Sequence, residues 1–190
     1  MSKNIKIGVS GQLGSFSEEA ANHYCLKHKI KNYKLAYLVS VENVLKNLKA
    51  GKIDKGVFPI ENSNGGIVYE AVYAMARYIF KIENMFEIDI KHCLHVKPGV
   101  KAGDIKKIAS HQQALKQCRM YLKRRWPDVD LEEYSDTAQA ANDLSSGKLK
   151  ANIAVIAPKI CSTIYSLEIL EEGIQDLKFN FTTFVVASKK

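Results

Sequence analysis

The prediction of the fold starts from one stretch, Val57-Phe58-Pro59-Ile60-Glu61-Asn62-Ser63-Asn64-Gly65-Gly66. An apolar run is followed at once by a carboxylate, an amide and a hydroxyl, and then by two glycines. This order is typical of a buried strand that ends in a polar loop, and open α/β sheets bind ligands at such strand ends. The glycine pair would let the backbone approach a ligand closely. An ordinary strand-to-helix turn, with Asn and Ser as helix caps, explains the same residue types.

Strand-like and helix-like patterns alternate along the rest of the chain. The predicted strands are residues 5–9, 33–39, 57–60, 87–96, 105–109, 129–134, 153–157 and 181–187. The predicted helices are residues 16–27, 41–48, 68–80, 111–125, 137–144 and 167–174, with one more beginning at Pro158. Such alternation predicts an α/β fold with a largely parallel core. Because no Pro- or Ser-rich linker is present, we expect the chain to cross between two lobes inside regular structure, near residues 82–86 and 175–181.

The composition is that of a globular protein, since 190 residues with 46% hydrophobic and 25% charged side chains can bury a proper core. The longest apolar runs fall well short of the roughly 18 residues of a membrane span, so we expect no membrane partner. Four cysteines without close spacing argue against zinc and disulfides and, with an N-terminus that lacks a signal-peptide pattern, for a cytoplasmic protein. The net charge is +8, but no basic stripe is interleaved with aromatic residues, so we expect no nucleic acid partner.

A glycine loop, Gly11-Gln12-Leu13-Gly14, follows the first predicted strand. Ser15 and Glu18 after it have the spacing of a capping box that opens a helix. Backbone N–H groups and the helix dipole attract anions at a helix start, so Ser15 and Phe16 are candidate contacts for a substrate carboxylate. No Gly-Lys-Ser/Thr follows the loop, which argues against a phosphate-binding P-loop.

Five motifs are spread over nearly the whole chain. They are Gly11-x-x-Gly14-Ser15-Phe16-Ser17-Glu18-Glu19-Ala20-Ala21, Pro59-Ile60-Glu61-Asn62-Ser63-x-x-Gly66-x-Val68, Ile90-x-His92-Cys93-Leu94, Ser110-His111-x-Gln113-Ala114-Leu115-x-Gln117-Cys118 and Ile174-Gln175-Asp176-x-x-x-Asn180-Phe181-Thr182. In this order they resemble the catalytic domain of prephenate dehydratase. One of these motifs alone would be weak, whereas the five together are highly specific.

The resemblance implies an α/β, two-lobed fold like that of type II periplasmic-binding proteins, with the active site in the cleft between the lobes. Residues 1–190 would form one catalytic domain, with lobe 1 at about 1–82 plus 178–190 and lobe 2 at about 83–177, and without the regulatory ACT domain that often follows. The family is a carbon–oxygen lyase that converts prephenate to phenylpyruvate, water and CO2 in L-phenylalanine biosynthesis. The resemblance also implies no metal, no organic cofactor and a homo-oligomer, either a dimer or a tetramer.

Particular residues acquire roles through the same resemblance. Thr182 would donate a hydrogen bond to the departing ring hydroxyl, while Glu61 and Asn62 would orient that hydroxyl and one carboxylate. The implied substrate-binding residues are Ser15, Phe16, Ser63, Ser110, Gln117, Thr137 and Phe184. Three of these positions also have an ordinary structural explanation: a β-branched residue filling a strand at Thr182, a surface carboxylate at a strand end at Glu61, and a solvated helix residue at Gln117.

The chain departs from the family at four positions. Thr183 stands where the family's closing motif has an arginine, Ile67 where a small hydroxyl residue is usual, Asp136 where a serine is usual and Tyr73 where an acidic residue is common. A divergent homologue that decarboxylates or only binds prephenate-like cyclohexadienyl acids is therefore the alternative interpretation. Because side chains alternate along a strand, we expect Thr183 to face away from Thr182.

Overall fold

The computed structural model describes residues 4–190 and contains eleven strands and seven α-helices in that range. The strands are β1 Ile5–Val9, β2 Tyr33–Tyr37, β3 Lys55–Asn62, β4 Gly66–Ile67, β5 Lys81–Asp89, β6 His92–Val96, β7 Lys107–His111, β8 Asp130–Tyr134, β9 Ile153–Pro158, β10 Glu168–Glu172 and β11 Phe181–Ser188. The helices are α1 Phe16–Lys27, α2 Val41–Lys49, α3 Tyr69–Arg77, α4 Gln112–Gln117, α5 Arg119–Arg125, α6 Thr137–Ser145 and α7 Cys161–Tyr165. A 3-10 helix covers Ala102–Asp104.

The chain divides into two compact units, each built on its own sheet. Among the described residues, unit 1 comprises residues 4–89 together with Phe181–Lys190, and unit 2 comprises Ile90–Asn180. The first division falls after Asp89 rather than near residue 82, because β5 pairs with β11 from Lys81 to Asp89 and so belongs wholly to unit 1. The second division falls after Asn180 rather than residue 177. The last strand, β11, pairs with β3 and β5 in unit 1.

Each sheet is parallel on one side and antiparallel on the other. In unit 1 the strand order is β2-β1-β3-β11-β5, with β1 parallel to β2 and β3, and β11 antiparallel to β3 and β5. In unit 2 the order is β10-β6-β9-β7-β8, with β7 parallel to β8 and β9, and β6 antiparallel to β9 and β10. The predicted largely parallel core is therefore correct for only half of each sheet.

Buried apolar side chains hold the helices against these sheets. In unit 1, α2 and α3 pack on β3 and β11 through a cluster that includes Leu45, Phe58 and Val185, all essentially inaccessible to solvent. In unit 2 one cluster contains residues of α4, α5, β6 and β9, and a second contains residues of α6, β7 and β9. Burial of such side chains is the main favourable contribution to folding.

Two predicted elements differ in type or extent. Residues 87–96 were predicted as one strand, but β5 and β6 lie in different sheets and different units. Residues 167–174 were predicted as helix, but Glu168–Glu172 form β10, an edge strand that pairs with β6 through a bulge. Glutamate and leucine favour helices only weakly, so the tertiary pairing with β6 overrides that preference.

The predicted helix over residues 111–125 is divided into α4 and α5 by a residue from far along the chain. The Asp176 carboxylate accepts the N–H groups of Met120 and Tyr121, both at 2.8 Å, and the Asp176 N–H donates to the Gln117 carbonyl at 2.8 Å. A continuous helix would have paired Tyr121 N–H with that carbonyl. Asp176 thus replaces part of the helical hydrogen-bond ladder, which is a known cause of helix breaks.

Within residues 4–190, no helix is both long and apolar enough to cross a membrane. The same part of the chain contains no group of three or more His, Cys, Asp or Glu side chains placed to hold a metal ion.

Candidate active site

A buried amide–hydroxyl pair lies where β3 and β11 begin to pair in unit 1. Asn62 ends β3 and Thr182 is the second residue of β11, and the two are direct partners in the ladder. Each is 8% exposed. The Asn62 side-chain nitrogen Nδ2 donates to Thr182 Oγ1 at 2.8 Å. Two of the three residues predicted as catalytic are therefore in direct contact.

The turn after β3, residues 63–65, fixes which end of the Asn62 amide faces Thr182. The Asn62 oxygen Oδ1 accepts the N–H groups of Asn64 at 2.9 Å and Gly65 at 2.8 Å. Because backbone N–H groups can only donate, the atom that receives them must be the amide oxygen. The amide nitrogen is left to face Thr182, so Asn62 donates and the Thr182 oxygen accepts.

Ser63 is engaged with the first residue of β11. Its N–H donates to the Phe181 carbonyl at 2.8 Å, and its hydroxyl oxygen accepts the Phe181 N–H at 3.0 Å. The Asn62 amide also donates to the Phe181 carbonyl, at 3.1 Å. The hydroxyl that was predicted to bind substrate is thus already a hydrogen-bond partner of the backbone.

Glu61, the third predicted catalytic residue, lies on the opposite face of the sheet from Asn62, since consecutive strand residues point to opposite faces. Its partner on β11 is Thr183, and Thr183 is in turn paired with Glu87 on β5. The Thr183 hydroxyl donates to the Glu87 carboxylate at 3.4 Å. Position 183 therefore faces away from Thr182, as expected, and stands between two carboxylates.

Phe184 lies in the core of unit 1, not at an accessible position. It is 1% exposed, and its ring stacks on that of Phe86 at a centroid distance of 6.3 Å. The predicted contact of Phe184 with substrate stays a prediction. The alternation that places Thr182 and Phe184 on one face holds, but the second of them already packs against protein.

The glycine loop before α1 is occupied by a carboxylate of the protein itself. Ser15 caps α1 as predicted, its hydroxyl accepting the Glu18 N–H at 3.3 Å. Glu18 then departs from the capping-box pattern, because its side chain accepts the N–H of Gly14 at 2.5 Å and the Tyr37 hydroxyl at 2.9 Å. A negative charge at this point disfavours a second carboxylate beside Ser15 and Phe16.

In unit 2, Ser110 and Thr137 stand where predicted, at the end of β7 and the start of α6. The fully buried Ser110 hydroxyl donates to the Ile156 carbonyl at 2.6 Å. Asp136 precedes Thr137 as the N-cap of α6, and its carboxylate accepts the Gln139 N–H at 2.9 Å. An ionised N-cap stabilises the helix and offsets the positive end of its dipole.

Gln117 is the centre of a second polar cluster in unit 2. Its side-chain oxygen lies 2.7 Å from His92 Nε2 and accepts the Asn180 amide at 2.9 Å. Burial lowers the pKa of His92 to about 4, against a smaller opposing effect of the Gln117 hydrogen bond. The imidazole is therefore neutral at physiological pH and carries its proton on Nε2. His92 lies in the motif Ile90-x-His92-Cys93-Leu94, which predicts no role for it.

The arrangement in unit 1 suits donation of one hydrogen bond to a ligand. The Thr182 oxygen accepts from Asn62, and in the part of the chain that the structure describes its hydroxyl donates to no protein atom. A hydroxyl whose oxygen already accepts a hydrogen bond is polarised toward donating its own proton. The cluster thus offers a positioned, uncharged donor next to an exposed turn.

Two α/β units, each with a mixed sheet, and a last strand that returns to the first unit define the type II periplasmic-binding-protein class of fold. A nutrient-binding protein from Burkholderia cenocepacia, solved with methionine, shares the fold with a TM-score of 0.52 and 15% identity, over 97% of this chain and 84% of that one. Within this class the chain belongs to the prephenate dehydratase family, whose family model matches residues 7–190.

Two relatives support the family assignment over nearly the whole chain. The arogenate dehydratase/prephenate dehydratase 6 of Arabidopsis thaliana is 32% identical over 190 residues, which cover 98% of this chain and 44% of the plant protein. The solved prephenate dehydratase of Arthrobacter aurescens, in complex with L-Phe, is 27% identical with a TM-score of 0.86, over 98% of this chain and 61% of that one. The chain therefore spans less than half the length of this plant relative.

Proposed function

We propose that this chain converts prephenate to phenylpyruvate, with loss of water and CO2. The observation that carries the proposal is the hydrogen bond of 2.8 Å from the Asn62 amide to the Thr182 hydroxyl, inside a chain that belongs to the prephenate dehydratase family. Because the Thr182 oxygen accepts this bond, the Thr182 hydroxyl can donate its own proton. The departing ring hydroxyl requires such a donor.

The proposed reaction needs little from the protein besides orientation and this donor. The bond between the ring and its carboxylate breaks, CO2 leaves, and the electron pair enters the ring. The ring carbon–oxygen bond breaks on the other side of the ring, and the leaving hydroxide, hydrogen-bonded by Thr182, takes a proton from solvent to become water. Formation of an aromatic ring drives the step, so that positioning and one hydrogen bond account for useful acceleration.

Incubation of the chain with prephenate near pH 7 tests the proposal. We expect phenylpyruvate to form faster than in the protein-free control, and chromatography to show no product that keeps the ring hydroxyl. A product that has lost CO2 but retains the hydroxyl would establish the decarboxylating alternative. Binding without turnover would establish a binding module.

Arogenate is a second candidate substrate, favoured by the carboxylate beside the predicted contact Thr137. Asp136 places that carboxylate at the start of α6. Arogenate carries an ammonium group where prephenate has a keto oxygen, so negative surroundings disfavour it less. Values of kcat/KM for the two acids, measured side by side, decide between them. Asp136→Ser should raise the relative value for prephenate.

The homo-oligomer and the cytoplasmic location implied by the family resemblance stay predictions. Light scattering of the purified chain measures the first directly.

A further inference from the structure

We infer that Ser63 is a positioning residue that fixes the start of β11, and hence Thr182, and that it is not a substrate contact. This inference rests on the proposed function, because Thr182 is the group that it positions. It assigns Ser63 a different role from the one that the sequence predicted.

Ser63 and Phe181 exchange two hydrogen bonds in the way that paired residues of an antiparallel ladder do. The N–H of Ser63 donates to the Phe181 carbonyl at 2.8 Å, and the Phe181 N–H donates to the Ser63 hydroxyl at 3.0 Å. The hydroxyl therefore stands in for the backbone carbonyl that a regular ladder would use. The ladder itself ends at the pair Asn62 and Thr182, so the side chain of Ser63 extends the pairing by one residue.

The peptide groups of Phe181 are held on both sides as a result. Its carbonyl accepts from the Ser63 N–H and from the Asn62 amide, at 2.8 and 3.1 Å. Its N–H donates to the Ser63 hydroxyl at 3.0 Å. Removal of that hydroxyl would take away an acceptor from the N–H of the residue immediately before Thr182.

Thr182 is thus positioned through two routes. Asn62 holds its side chain, and Ser63 holds the backbone through Phe181. Ser63 itself is exposed, so a change of its side chain disturbs no core packing. Among residues 4–190, only Lys29, Val39 and Ser166 combine a side chain with a positive φ, so the backbone at position 63 lies outside the left-handed region that β-branched residues avoid.

The variants Ser63→Thr and Ser63→Val form a matched pair, because threonine and valine have the same shape and differ by the hydroxyl. We expect Ser63→Val to lower kcat about tenfold with KM changed less than about twofold, a loss that corresponds to one neutral hydrogen bond. Ser63→Thr should keep the parent kcat. Hydrogen exchange should show the Phe181 amide about tenfold less protected in Ser63→Val and as protected as the parent in Ser63→Thr.

A rise in KM at unchanged kcat in Ser63→Val would overturn the inference, because that pattern belongs to a substrate contact. Equal protection of the Phe181 amide in parent and Ser63→Val would overturn it as well. If the parent turns over neither prephenate nor arogenate, the proposed function is contradicted and the inference about Ser63 is not. The two exchange measurements would then decide whether Ser63 fixes the start of β11.

Discussion

Asn62 in unit 1 and Gln117 in unit 2 carry the same functional group and use it in opposite ways. The Asn62 amide donates to a hydroxyl, whose own proton is then available to a ligand. The Gln117 oxygen instead receives two donors, from His92 and Asn180, and so joins three side chains of one unit to one another. An amide therefore makes a neighbouring hydroxyl a donor only when it donates to the hydroxyl oxygen and leaves the hydroxyl proton available to a ligand.

The largest effect should come from the hydroxyl that Asn62 serves. Thr182→Val keeps the shape of the side chain and removes the donor, so we predict a fall in kcat of about 10²-fold or more. Thr182→Ser keeps the donor and should stay within about tenfold of the parent. Steady-state rates of phenylpyruvate formation measure both, and circular dichroism checks that the fold is kept. Equal rates for the valine and serine variants would show that the hydroxyl does not act in the reaction.

The Gln117 cluster should show its effect in stability rather than in rate. The pKa of His92 lies at about 4 in the folded chain and near 6.5 when exposed, so the unfolded chain binds the extra proton over that interval. The stability contributed by neutral His92 is therefore complete above about pH 6.5 and is lost as the pH falls toward 4. The full difference is on the order of 3 kcal/mol.

Urea unfolding at pH 7 and pH 4.5 of the parent and of His92→Gln tests this expectation. Glutamine at position 92 does not titrate and retains an N–H group for the Gln117 oxygen. We predict that the variant loses less stability between the two pH values than the parent. Some dependence remains, since burial also lowers the pKa of His95. A variant with the parent's full pH dependence would contradict the assignment of that dependence to His92.

The helix caps and apolar strands could be predicted from the sequence, whereas the contacts between distant residues could not. The caps Ser15, Ser40 and Asp136 and the apolar runs of β3 and β11 follow from short-range rules, and the structure has them. The polarity of the Asn62 amide depends on how the following turn points two N–H groups. The partners of Gln117 lie 25 and 63 residues away along the chain.

Two misassigned elements have the same cause. Asp176 divides α4 from α5 from a distance of 55 residues, and β10 is a strand only because β6 pairs with it. The orientation of position 183, in contrast, depends on no distant residue. Strand alternation alone predicts that it faces away from Thr182.

The smallest effect is expected at position 183, on the other face of β11. An arginine there would stand between Glu61 and Glu87, its partners across both strands. Exposed ion pairs contribute about 0.2–1 kcal/mol each, so Thr183→Arg should raise the free energy of unfolding by about 1 kcal/mol. We expect kcat to change less than about twofold, since the donor on the opposite face is untouched.

Thr183→Gln is the uncharged control for this variant and should bring no such gain in stability. Urea unfolding in low salt and steady-state kinetics on prephenate provide the two readouts. A rise in kcat/KM of tenfold or more in Thr183→Arg alone would mean that the arginine binds a substrate carboxylate. The two faces of β11 would then not be separate in function.

The most direct test of the account is the variant Asn62→Asp. Aspartate keeps the shape and the oxygen that accepts the Asn64 and Gly65 N–H groups, but its second oxygen can only accept. The Thr182 proton would then turn toward residue 62 and away from a substrate. We predict that kcat at pH 7 falls about as far as in Thr182→Val, about 10²-fold, and that it recovers in part at a pH low enough to protonate the aspartate. An Asn62→Asp variant with the parent's kcat at pH 7 would contradict the claim that Asn62 makes Thr182 a donor.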